Sequence, residues 1–200
     1  MPARFILASA SPARLKLLQS AGLRPEVIVS GVDEDDATGS PAEVALLLAQ
    51  RKAEAVSARV TAEPNGATLV LGCDSVLDLD GSALGKPADA DDAVRRWHQM
   101  AGRDGVLRTG HWLVDLAAGR EVGAVASTTV HFARPSDTEI AAYVATGEPQ
   151  RVAGAFTIDG LGAWFVDSVE GDPGTVVGLS LPLLRGLLGQ LGHQVTDLWA

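Results

Sequence analysis

Thr68-Leu69-Val70-Leu71-Gly72-Cys73-Asp74-Ser75-Val76-Leu77, closed by an Asp80-Gly81 turn, contains the most apolar run of strand length in the chain. A continuous apolar run, as opposed to an alternating one, marks a strand covered on both faces and therefore a layered α/β fold around a central sheet. Asp74 then stands on or just beyond a core strand, where a charge persists only if it is paired or put to use. Outward from this run, Phe5-Ile6-Leu7-Ala8 reads as a second buried strand that feeds straight into a helix. Ser11 is its N-cap, Pro12 its first residue, Leu15, Leu18 and Ala21 its apolar stripe, and Gly22 its stop. Ser40-Pro41-Ala42-Glu43 is a capping box with proline at N1, predicting a helix to about residue 59. Asp89 opens another helix, and residues 106–116 and 121–132 predict an antiparallel hairpin. Ser136-Asp137-Thr138-Glu139 is a second capping box, and a leucine-rich helix is expected over residues 182–191. Val27-Ile28-Val29 and residues 164–169 are further strand candidates, and Gly171-Asp172-Pro173-Gly174 reads as a turn.

Composition narrows the function. The 200 residues hold 16 Lys and Arg against 25 Asp and Glu, a formal net charge of −9, which argues against a nucleic-acid polymer or an anionic membrane as partner. Any phosphate must be held locally. Cys73 is the single cysteine, excluding disulfide scaffolds and thiolate metal clusters and fitting a reducing compartment. The opening residues carry no long apolar segment, and the expectation is a soluble, cytoplasmic chain. With no repeat and no linker, residues 1–200 read as a single domain.

Several residues carry chemistry by type and place. Ser9, Ser11 and Arg14 surround the start of the first helix, where unpaired N–H groups favour anions and disfavour a cation. Arg14 therefore reads as part of a phosphate cradle or as a solvated surface arginine. Lys52 lies on the row between Leu48 and Val56, projecting from a largely apolar stripe, so it either snorkels or meets a counter-anion. Asp74 is a candidate general base or metal ligand, or else a turn aspartate. The Asp33-Glu34-Asp35-Asp36 run could offer oxygen ligands to a hard divalent cation, or be a solvated loop. Gly81-Ser82-Ala83-Leu84-Gly85-Lys86-Pro87 fails as a P-loop, because three residues separate its glycines and proline replaces the Ser/Thr, yet Lys86 remains a candidate point charge. His98, His111, His131 and His193 lack metal-ligand spacing and read as structural.

Taken in order, Leu7-Ala8-Ser9-x-Ser11-Pro12-x-Arg14, Asp33-Glu34, Arg51-Lys52-Ala53, Leu71-Gly72-Cys73-Asp74-Ser75, Gly85-Lys86-Pro87, Ala153-Gly154-Ala155 and Ile158-Asp159-Gly160 resemble the Maf family of nucleoside triphosphate pyrophosphatases. The ending Val177-Gly178-Leu179-x-Leu181-Pro182 is similar too, and the likeness spans nearly the whole chain. The resemblance implies an inosine-triphosphatase-like α/β fold: an elongated mixed sheet with flanking helices and a cleft between two lobes. It implies hydrolysis of a nucleoside triphosphate to monophosphate and pyrophosphate, assisted by a divalent cation, Mg or Mn. Asp74 matches the proton acceptor and Glu34 the acidic position near metal and water, so Asp74 and Glu34 form the implied metal pair. Ser9, Arg14, Lys52 and Lys86 match phosphate-facing positions; Ser75 and Asp159 complete the expected substrate contacts. A homodimer is compatible with the resemblance. The family's older association with septum formation supplies the alternative, a nucleotide-binding regulator of cell division with little turnover.

Two positions depart from the family pattern. Ala13 stands where the first of two arginines is common, leaving Arg14 alone. Asp159 stands where the dTTP/UTP-hydrolysing branch carries glutamine; an amide both donates and accepts, whereas an ionised carboxylate only accepts. The branch acting on 7-methylguanosine triphosphate has an acidic residue near this point, so the preferred base stays open.

Overall fold

The computed structural model describes residues 3–34, 36–63 and 66–199. β1 (Arg4–Leu7) leads into α1 (Pro12–Ser20), β2 (Glu26–Val27) and α2 (Pro41–Ser57). β3 (Thr68–Leu79) turns through Asp80 and Gly81, both at positive φ, into β4 (Ser82–Leu84), and α3 (Ala90–Met100) follows. β5 (Asp104–Asp115) and β6 (Arg120–Phe132) form the long hairpin; α4 (Asp137–Ala145), three short 3₁₀ turns, β7 (Val166–Glu170), α5 (Pro173–Val177) and α6 (Leu181–Leu191) complete the chain before a final 3₁₀ turn. The sheet has the order β2-β1-β3-β5-β6-β7, with β4 on β3. β1 is parallel to β2 and β3, and the remaining pairs are antiparallel, which makes the elongated mixed sheet expected above.

The helix starts are set where the caps predict. Ser11, Ser40, Asp89 and Ser136 each accept from a backbone N–H of the first turn, and Ser40/Glu43 and Ser136/Glu139 close full capping boxes. Three differences have local causes. The strand expected at Val27-Ile28-Val29 is Glu26–Val27, because β1 is too short to pair further. Residues 161–165 form a 3₁₀ turn ahead of β7, so the last strand starts later than expected. Asp172 caps a short helix with Pro173 at its first position, where a turn was expected.

The core divides along the long strands. One cluster packs Phe5, Leu7, Leu69 and Leu71 against Leu18 and the leucines of α6; another, at the far end of β3 and β5, packs Leu77 and Leu107 with Trp97, Phe132, Tyr143 and Phe156. α2 covers the opposite sheet face through Ala45, Leu48, Ala53 and Val56. Its approach is unusually close: a Cβ on Gly72 would lie 2.1 Å from the Ala49 carbonyl oxygen, and one on Gly110 2.2 Å from that of Ala45. Only glycine lets the helix backbone rest on the strands here.

Candidate active site

The site begins as a gap in the sheet. On the edge of β3 away from β5, β1 pairs residues 68–71 and β4 pairs residues 77–79. Residues 72–76 have no strand neighbour there among the described residues. Leu71 O accepts from Ala8 N on this side, and successive odd residues of β3 direct their main-chain groups the same way, so those of Cys73 and Ser75 face the gap. A cleft of about 890 Å³ opens over it. Ser9, Arg14, Glu34, Lys52, Asp74, Ser75, Lys86 and Asp159 all line this one cleft, although they lie on six separate segments.

Arg14 is a keystone, 7% exposed. Its Nε donates to Gly178 O at 2.7 Å, Nη1 to Ser9 Oγ and Cys73 O at 2.9 Å each, and Nη2 to Ser75 Oγ at 2.9 Å. Ser75 Oγ also meets Thr109 Oγ1 at 2.9 Å, and Thr109 donates to Thr175 O. Four of the five guanidinium N–H groups are therefore committed, all to neutral oxygens. The arginine is held rigidly while its positive charge meets no carboxylate among the described residues. A buried cation fixed but not neutralised favours an anion in the adjoining space.

Asp74 and Lys52 face each other across the α2–β3 contact at 7% and 8% exposure. Lys52 Nζ lies 2.5 Å from Asp74 Oδ1 and 2.6 Å from Glu34 Oε1. Burial raises the Asp74 carboxyl above the ordinary aspartate range, opposed by the charges of Lys52 and Arg14 and raised further by Glu34. Asp74 Oδ2 has no hydrogen-bond partner among the described residues. Of the acidic run, Asp36 pairs with Arg51 at 2.5 Å, Asp33 does not line the cleft, and Asp35 lies outside the described residues. The neighbouring Cys73 thiol is pushed up to about 12, chiefly by burial, so it is no nucleophile. His111 is structural, as its sequence context predicts: Nε2 accepts from Ser180 N at 2.9 Å and Nδ1–H donates to Thr109 O at 3.0 Å.

The other wall is more open. Lys86 and Asp159 are exposed at the cleft margin, near Arg151 and Thr157. The chain from Gly154 is pinned from below, since Trp97 Nε1 donates to Ala155 O at 2.9 Å and Gly154 N to Gly85 O at 3.0 Å.

The model of Maf-like proteins matches residues 4–191. The chain belongs to the Maf-like family. Among its relatives are proteins named nucleoside triphosphate pyrophosphatase from Salinispora tropica, 62% identical over all of this chain and 89% of that one. Those of Streptomyces coelicolor and Rhodococcus jostii are 62% and 50% identical, each over 98% of this chain and over 95% and 96% of their own.

In this Maf-like protein the donor set fits a hard divalent cation in one way. Glu34 and Asp74 converge on a single positive group, the Lys52 ammonium, which shows that the carboxylates are already disposed around a cation. Two carboxylates with water and phosphate oxygens suit Mg²⁺ or Mn²⁺, which seldom take an all-protein cage. No cluster of three or more metal-ligating side chains occurs among the described residues. Arg151 and Thr109 were not singled out by sequence. Arg151 follows no motif, and Thr109 shows only as one threonine of a strand; its contact with Ser75 depends on the β3–β5 register.

Proposed function

We propose that this protein hydrolyses nucleoside triphosphates to the monophosphate and pyrophosphate, by attack of water at the α-phosphorus. One observation carries the reading: Asp74, a buried carboxylate with a free oxygen, is paired with the Lys52 ammonium and lies near the Arg14 guanidinium, which no carboxylate pairs among the described residues, in a cleft of nucleotide size. Asp74 takes the proton of the attacking water on Oδ2, and Lys52 at Oδ1 favours its ionised form against the effect of burial. Arg14, with its remaining N–H and the N-terminus of α1, meets the phosphate charge; Ser9 and Ser75 hold the guanidinium in place. Lys86, on its flexible exposed stem, adds a mobile positive charge for the leaving pyrophosphate. Glu34 with Asp74 would hold the divalent cation, which when bound offsets charge on the phosphates and lowers the pKa of water. Asp159 and Thr157 form the margin that meets the base.

A cytoplasmic location, where nucleoside triphosphates are pooled, goes with this reading. No helix among the described residues is long and apolar enough to cross a membrane. Hydrolysis in ¹⁸O-labelled water, over a panel of nucleotides with Mg²⁺ or Mn²⁺, tests the reading. Label in the monophosphate and release of intact pyrophosphate are expected. Label in inorganic phosphate with a diphosphate product would mark a γ-phosphatase instead, and binding without turnover would mark a regulator.

A further inference from the structure

Glu148, just after α4, accepts four hydrogen bonds, and no cation pairs with it among the described residues. Oε1 accepts from Tyr143 OH at 2.8 Å, Thr157 Oγ1 at 2.6 Å and Gly162 N at 3.0 Å, while Oε2 accepts from Leu161 N at 3.0 Å. Burial pushes the carboxyl up, but these hydrogen bonds together outweigh it and hold the carboxyl below the ordinary glutamate range. The donors bracket Asp159: Thr157 lies two residues before it, Leu161 and Gly162 two and three after it. Both Thr157 and Asp159 line the cleft. A Cβ on Gly160 would come within 2.7 Å of Glu148 Oε2, so the loop folds directly over the carboxylate. Tyr143 is itself wedged between Trp97 and Phe165, with ring centroids 5.7 and 5.5 Å away, which fixes the far side of the cage.

We infer that Glu148 is a positioning residue for nucleobase selection, holding the 157–162 loop in the one conformation that presents Thr157 and Asp159 to the base. The inference rests on the pyrophosphatase reading above and on Asp159 facing the base. The cage demands a carboxylate and not an amide. A glutamine oxygen in the place of Oε1 turns its NH₂ toward Leu161 N–H; the opposite flip turns NH₂ toward Gly162 N–H. The two hydroxyls could rotate to accept, but a backbone N–H only donates, so either orientation leaves one amide facing a donor. The volume of the side chain is unchanged, and the phosphate end of the cleft, built by Arg14, Lys52 and Asp74, shares no hydrogen bond with this cage.

The test is kcat/KM for dTTP, UTP, dCTP, GTP and ATP in wild type, Glu148→Gln and Glu148→Asp. Ile140→Val serves as a control, because it trims a buried α4 residue of the cluster that also holds Tyr143 and Ile158, and lowers the melting temperature without removing a hydrogen bond from the cage. In Glu148→Gln the ratio between best and worst nucleotide is expected to fall about tenfold or more, one lost polar discrimination. The Ile140→Val ratio stays at the wild-type value. Glu148→Asp keeps the charge but stops one methylene short; it is expected to fall between, and it carries the test alone should the glutamine variant not fold. A Glu148 variant with reduced activity on all nucleotides and an unchanged ratio would reduce the residue to a structural role and overturn the inference. So would a wild type with no base preference. Absence of pyrophosphate release by wild type on every nucleotide would instead sink the pyrophosphatase reading itself.

Discussion

Gly110→Ala probes the link between packing and chemistry, because it adds one methyl group under α2 and nothing at the site. The new Cβ would lie 2.2 Å from Ala45 O and 2.5 Å from Ala45 C, against an ordinary contact of 3.4 Å or more. Those atoms are helix backbone, which cannot rotate aside, so α2 must lift by about 1 Å. Overpacking of this kind costs about 1–3 kcal/mol. At about 2–4 °C per kcal/mol for a chain of this size, the melting temperature should fall by about 2–12 °C. The same lift separates Lys52 on α2 from Asp74, which pairs with Gly110 in the β3–β5 register. A misplacement of about 1 Å in a catalytic arrangement costs on the order of 10²-fold, so kcat/KM measured by pyrophosphate release should fall by that factor at a temperature where the variant is fully folded. Wild-type kcat/KM together with a lowered melting temperature would break the proposed link between helix height and catalysis. An unchanged melting temperature would refute the packing argument as well.

Other expectations concern single terms. Asp74→Asn keeps size and removes the charge, so turnover should drop by about 10²–10⁴ with nucleotide affinity, read by equilibrium titration, largely kept; a near-normal rate would remove Asp74 from the reaction. Gly186 lies inside α6 with open space where a Cβ would stand, and Gly186→Ala should raise stability by about 0.5–1 kcal/mol in urea unfolding with unchanged kinetics. His111, whose pKa burial lowers from 6.5 to about 4, binds a proton in the unfolded chain before it does so in the folded one. Its contribution is therefore complete above pH 6.5 and lost as pH falls toward 4, about 2 kcal/mol by pH 5. Urea midpoints at pH 7 and pH 5 should show that loss in the wild type and a flatter dependence in His111→Gln.

Much of the fold was legible because its signals are local. The caps at Ser11, Ser40, Asp89 and Ser136 and the apolar run into β3 each involve neighbours in sequence. The parallel pairing of β1 with β3 and the unpaired stretch 72–76 were not legible, since they depend on which strand lies beside which. Among site residues, Lys52 showed itself by standing on an apolar stripe, but its two carboxylate partners lie 18 and 22 positions away in opposite directions. Arg14 could be read equally as a surface residue, because the carbonyl of Gly178 that fixes Nε comes from the far end of the chain. Glu148 gave no signal at all: beside Gly147 and Pro149 it looks like a loop carboxylate, and its meaning comes only from donors brought back by a later turn.

An unpaired stretch in the middle of a sheet is ordinarily a hazard, since exposed main-chain groups template the addition of a foreign strand and thus aggregation. On β3 the opening spans only residues 72–76, about 16 Å of strand, and is stopped at one end by β1 and at the other by β4. Arg14 already occupies the Cys73 carbonyl, and the segment from Ser9 into the first turn of α1 stands beside it. A polypeptide therefore cannot lie down along this edge for long enough to form a ladder, while a compact anion can enter. The placement of two short strands thus acts as a size filter, leaving this stretch of backbone open to small molecules and too short to take up a foreign strand.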